Sequence, residues 1–308
     1  MSTTTKITAS ISMVLLAGFN FSTTAHADPL QGEVLKFQQA PLNNLQLQGA
    51  IYNGHDELST AYQGLNPTNP NGWQGTFMAD DFADKLSSPI VHLSWWGSYI
   101  ANPNNTALTK FLISFETDVP GSNSAGTFSQ PGTPILSQVV TAGALAPGSG
   151  TFTEALVNGN VPEHLYKYNA ELNLGQDFPE QKDTVYWLKI VALTSDQALQ
   201  WGWHDRDYTA QDTFASPAVS PGETQNGPVW HFQDDAVSGR VDINPLVPTG
   251  LSVVQNGMLP TNYVDNIDGP PGIGNFSKDL AFELYTVPEP SSMALLGLGG
   301  LTILRRRR

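Results

Sequence analysis

The chain has 308 residues, with 28 acidic and 14 basic side chains, a formal net charge of −14 and no cysteine. A field of that sign repels polyanions and argues against nucleic acid and anionic lipid head groups as partners. The lack of cysteine excludes disulfide staples and thiol catalysis, so stability rests on an apolar core, which a chain of this length can build.

The N-terminal segment combines Lys6, an apolar stretch from Ile11 to Phe19, and Ala25-His26-Ala27 ahead of Asp28-Pro29. A basic start, a short apolar middle and a small-x-small site make a secretory signal peptide. The apolar stretch is shorter than the roughly 20 residues a spanning helix needs. Residues 1–27 are therefore expected to be removed after Ala27, with the Sec export machinery and signal peptidase as partners. Five of the 14 basic residues (Lys6 and Arg305 to Arg308) and one of the 28 acidic residues (Glu289) lie in the two terminal segments. The body between them thus carries 9 basic and 27 acidic residues, a net of −18.

In the body, residues 28–286, helical periodicity is scarce, and 28 glycines and 22 prolines punctuate the whole chain. Short runs rich in β-branched and aromatic residues lie between these breaks. They predict strands over residues 45–52, 90–99, 109–117, 184–194, 198–203 and 281–286. Long loops are expected at 102–107, 121–133, 143–150 and 205–227. The predicted fold is all-β: one antiparallel β-sandwich, jelly-roll-like, with its long loops gathered at the edges.

The body also carries an ordered series of short motifs. These are Ala79-Asp80-Asp81-Phe82, Trp95-Trp96-Gly97-Ser98-Tyr99, Phe111-Leu112-Ile113-Ser114-Phe115, Val185-Tyr186-Trp187-Leu188, Trp201-Gly202-Trp203, Asp234-Asp235-Ala236 and Asp279-Leu280-Ala281-Phe282-Glu283-Leu284. In this order they resemble an exported domain of unknown function common in planctomycete and PEP-CTERM-bearing proteins. That resemblance implies a β-sandwich in an extracellular setting and no established activity.

Four tryptophans are candidate glycan platforms. Trp95 and Trp96 are adjacent on a predicted strand and leave opposite faces of the sheet. Trp201 and Trp203 are two apart and share a face, beside His204, Asp205 and Asp207. The competing expectation for all four is core packing, since large aromatics fill sandwich interiors. Asp234, Asp235, Asp265 and Asp268 are candidate oxygen ligands for a structural calcium. Asp265-Asn266-Ile267-Asp268-Gly269 fails the EF-hand spacing, and turn capping is the simpler role for these aspartates. No other cofactor is expected. His55, His92, His164, His204 and His231 form no H-x-H or H-x-x-x-H pair, and neither a G-x-S-x-G elbow nor a phosphate loop occurs. A glycosidase pair needs only two carboxylates at suitable range, and so acidic a body meets that condition trivially.

The chain ends in Pro288-Glu289-Pro290, two serines, an apolar run from Met293 to Leu304, and Arg305, Arg306, Arg307 and Arg308. The prolines keep Glu289 extended and out of any helix. Twelve helical residues would cover about 18 Å of a hydrocarbon core about 30 Å thick, and the arginines stop transfer on the cytoplasmic side. A brief anchor is expected, not a permanent one. Residues 287–308 resemble the PEP-CTERM sorting signal, which implies recognition by an exosortase in bacteria that make extracellular polysaccharide.

The sequence therefore predicts a protein exported across the inner membrane, anchored transiently by an apolar C-terminal helix, and then left at the cell surface or outside. A non-catalytic surface or matrix role beside extracellular polysaccharide is the leading expectation. The alternatives are a carbohydrate-binding module built on the tryptophans and a glycan-acting hydrolase or lyase.

Overall fold

A computed structural model describes residues 29–41, 43–44, 50–51, 56–100, 108–119, 130–158, 164–173, 178, 180–207, 213–216, 236–243 and 279–288. Among these residues there are fifteen strands and no helix. They are β1 (Val34–Gln39), β2 (Asn43–Asn44), β3 (Ala50–Ile51), β4 (Asp56–Leu58), β5 (Thr60–Gln63), β6 (Trp73–Phe82), β7 (His92–Tyr99) and β8 (Lys110–Val119). There follow β9 (Gln130–Ala142), β10 (Thr151–Asn158), β11 (Leu165–Glu171), β12 (Tyr186–Thr194), β13 (Trp201–His204), β14 (Val237–Ile243) and β15 (Phe282–Thr286).

Thirteen of the strands form one open sheet in the order β1-β15-β7-β11-β10-β9-β8-β12-β5-β6-β14. β12 also pairs with β6, and β13 bridges β7 to β4. β2 and β3 pair separately. The expected purely antiparallel sandwich is thus corrected to a mixed sheet: β12 runs parallel to β5, and β10 parallel to β9. The second of these joins rests on only two residue pairs, Thr151 with Thr141 and Phe152 with Ala142. It divides the sheet into a β14-to-β9 half and a β10-to-β1 half.

The two halves face each other. Phe37 on β1 and Phe82 on β6 are separated by eight strand steps along the sheet when the β12–β6 pairing is followed. A flat sheet would hold them nearly 40 Å apart at about 4.8 Å per step. Their ring centroids are 5.9 Å apart, so the sheet folds back on itself. The period of two then sorts each central strand between two faces. On β8, Phe111, Ile113 and Phe115 enter the layer between the halves and Leu112 the opposite face. On β12, Leu188, Ile190 and Ala192 point inward while Trp187, Val191 and Leu193 point outward. The inner layer is strongly aromatic: Trp95 stacks on Tyr168 at 5.4 Å and meets Phe111 edge-on at 5.1 Å.

All of β7 is buried, because β11 lies along one edge, β15 and β13 share the other, and both faces are covered. The signal peptide and the apolar sorting run lie outside the described residues, as do most of the expected strand at 45–52 and most of the loop at 205–227. The loop expected at 121–133 gives way to β9 from Gln130 onward.

Candidate functional site

The C-terminal end of the body is built into the sheet. Phe282 and Leu284 are fully buried in the aromatic layer, and β15 is hydrogen-bonded to β7 on one side and β1 on the other. One residue beyond β15 the chain surfaces: Val287 is 51 % exposed and Pro288 is also exposed. Any processing at Pro288-Glu289-Pro290 therefore acts within a few residues of a strand paired on both edges. Glu289, Pro290 and Arg305 to Arg308 lie outside the described residues, as do Ala25 and Ala27 of the signal-peptide site.

The tryptophans are core residues. Trp95, Trp201 and Trp203 have no exposed surface and Trp96 has 7 %. Trp95 and Trp96 do leave opposite faces, but both faces are filled, and Trp96 packs with Leu165 and Ala281 under the Lys167 ammonium, 4.8 Å from its ring centre. Trp201 and Trp203 both enter the inner layer. The Trp201 Nε1–H donates to Tyr168 Oη at 3.1 Å, and the Trp203 Nε1–H donates to the Ala281 carbonyl at 2.9 Å. No ring among the four stands free as a sugar platform. Asp234, Asp235, Asp265 and Asp268 lie outside the described residues.

The structure instead brings together buried polar clusters. Ser98, Asp56 and His204 meet, but the Ser98 hydroxyl donates to Asp56 Oδ2 at 2.6 Å, and His204 Nδ1 lies 3.0 Å from Asp56 Oδ1. Nucleophilic activation needs the imidazole on the hydroxyl, whereas here the carboxylate lies between them. In a second cluster Lys36 Nζ lies 2.6 Å from Glu180 Oε2 and 3.1 Å from Asp84 Oδ2, with all three side chains fully buried. Burial first, and the Asp84 charge second, push the Glu180 carboxyl up to about 9, so it holds a proton at neutral pH. One ammonium, one carboxylate and one carboxylic acid leave that cluster uncharged.

The third cluster lies on the outer face of the β10-to-β1 half, at the ends of β7 and β11. Glu171 Oε1 is 2.7 Å and Glu33 Oε2 3.3 Å from the same atom, His92 Nδ1. Glu33 sits in the turn before β1, where its carboxylate also accepts the Leu30 N–H at 2.8 Å. Desolvation, ahead of the neighbouring charges, raises the Glu33 carboxyl. Among the described residues, this is the one trio of His, Asp and Glu side chains whose donor atoms, all within 4.8 Å of one another, could hold a metal ion. Sequence spacing could not reveal it, because the three residues are far apart in the chain and meet only through the β7–β11 pairing of His92 with Glu171 and the turn that leads into β1.

Two segments of the chain match known family profiles. The family profile described as Domain of unknown function (DUF7901) matches residues 35–265. The PEP-CTERM protein-sorting motif matches residues 286–308, from the last residue of β15. No curated protein and no solved structure matches the chain. β15 lies beyond the matched body segment and yet completes the sheet between β1 and β7. The sorting motif marks an exported protein with a C-terminal anchor that exosortase processes, and the body profile spans well over half of the chain, so the chain belongs to the DUF7901 family and is one of its PEP-CTERM members.

Proposed function

We propose that the body is a non-catalytic scaffold, carried across the inner membrane by the Sec machinery, held briefly by its C-terminal anchor, and delivered by exosortase to the extracellular polysaccharide layer. The folded-back sheet acts there as a compact sandwich that needs no disulfide. The junction between β15 and the sorting motif carries this reading: the last strand is locked into the sheet, and the chain surfaces at Val287 and Pro288. A cut there frees a finished domain whose net charge, near −18, keeps it soluble. The burial of Trp95, Trp96, Trp201 and Trp203 favours a scaffold over a carbohydrate-binding module, because no aromatic platform remains among them.

The test is made in the producing bacterium. Replacing Pro288, Glu289 and Pro290 together by alanine is expected to accumulate a longer, membrane-bound species on immunoblots and to abolish the shorter extracellular one. Deleting the chain is expected to weaken flocs or biofilm, and the processed protein is expected to remain on the producer's polysaccharide through washing. A processed species that persists in the triple variant removes the sorting role of the motif. Loss of both retention and the floc phenotype removes the matrix role.

A further inference from the structure

We propose that Glu33, His92 and Glu171 form a binding site for one divalent transition-metal ion, with zinc as the best fit. An imidazole Nδ1 carries at most one hydrogen, so His92 can satisfy only one of the two carboxylates aimed at it. The donor set is buried: the side chains of His92, Glu171 and Glu33 are 0 %, 1 % and 4 % exposed. Two carboxylates this close in a desolvated place need a proton or a cation between them. The Lys36 cluster meets the same demand with an ammonium together with the proton on Glu180, but no lysine or arginine contacts Glu33 or Glu171 among the described residues. A doubly charged cation with two carboxylates and a neutral imidazole makes an uncharged site.

The spacing agrees with this assignment. Ligand atoms bound at about 2.0–2.2 Å with angles between 90° and tetrahedral stand roughly 3.0–3.5 Å from one another. Of the two nitrogen–oxygen separations, 3.3 Å lies within that range and 2.7 Å falls short of it by a few tenths of an ångström, which small side-chain rotations can open to centre an ion. Nδ1 is also the only polar atom of the ring that meets polar partners. Nε2 is buried without a hydrogen-bond partner, and the ring is set by packing edge-on to Tyr285 at 5.1 Å. One nitrogen and two oxygens suit zinc, whereas calcium takes six to eight oxygens. An ion can enter from the Gln31–Gly32 side of the turn, where both residues are exposed.

The full-length chain, stripped with a chelator and titrated with Zn²⁺ alone in a calorimeter, is expected to bind one ion per chain and to melt at a higher temperature once loaded, as any ligand specific to the folded state requires. Glu33→Gln and Glu171→Gln keep the side-chain shape and remove one charge. Each is expected to fold at least as stably as the metal-free parent. Each should lose more affinity for Zn²⁺ than the roughly 10- to 100-fold that follows loss of an outer-sphere partner. Ca²⁺ is expected to produce no shift. Absence of stoichiometric Zn²⁺ binding at millimolar concentration overturns the site, since the carboxylates must then share a proton. Binding that survives both substitutions overturns it too, because it places the ion elsewhere on the acidic surface.

Discussion

At the scale of single residues, the body's buried charges make it sensitive to alkali. The Glu180 carboxyl is raised to about 9, first by burial and then by the Asp84 charge. Asp80, fully buried in the inner layer, is raised in the same direction by burial and then by Asp279 and Asp81. In the unfolded chain both groups release their protons near the usual carboxylate range. The folded form therefore binds more protons across the interval between, and stability falls as pH rises from about 4.5 toward 9. Thermal melts from pH 5 to 9 are expected to show the melting temperature declining over this window. Glu180→Gln, which cannot ionise, is expected to flatten the slope, and an unchanged slope would mean that Glu180 is ionised throughout. None of this was legible from the sequence. No pattern in the sequence marks Asp80, Asp84 or Glu180 as buried, and their burial follows from the folding back of the sheet.

At the scale of strands, the motifs Trp95-Trp96-Gly97-Ser98-Tyr99 and Trp201-Gly202-Trp203 are two sides of one contact. Trp203 pairs with Gly97 and Gly202 with Ser98 in the antiparallel β13–β7 ladder. A Cβ on Gly97 would collide with the Gly202 carbonyl and with the Trp201 ring, which itself lies against Phe111 at 4.9 Å. Gly97→Ala is therefore expected to lower stability by about 1–3 kcal/mol through overpacking, read from the denaturant midpoint at an unchanged slope. The strands at β7, β8, β12, β13 and β15 were legible because their apolar residues are dense and β-branched or aromatic. β6 and β9 were not. β6 carries Gly75 and the doublet Asp80-Asp81, all poor strand formers. β9 opens with Pro131, Gly132 and Pro134, which a strand tolerates where its second edge is unpaired. Among the described residues, β9 meets β10 only at Thr141 and Ala142. The alternation that placed Trp95 and Trp96 on opposite faces held, but it says nothing of what covers a face, so the burial of Trp96 came only from the three-dimensional packing.

At the scale of the whole molecule, the order of the sheet decides what processing can remove. Among the described residues β15 is the last strand in sequence and an interior strand in space, with β1 on one edge and β7 on the other. β1 depends on it, since β15 is its partner in the sheet and Phe37 stacks on Phe282 at 5.4 Å. The described strands all end by Thr286. A chain ending at Pro288 is therefore expected to keep the melting temperature of the full-length protein within a few degrees. A chain ending at Ala281 loses Phe282 and Leu284 from the inner layer and strips the ladder from both neighbours. Deleting one buried Phe side chain alone costs about 3–5 kcal/mol, a large share of the roughly 5–15 kcal/mol by which domains are stable. The shorter chain is thus expected to lose its cooperative melt by circular dichroism. If it melts like the parent, β15 is an appendage of the sorting signal and the body ends earlier; if the chain ending at Pro288 also fails to fold, the tail is part of the domain and its removal cannot release a finished scaffold.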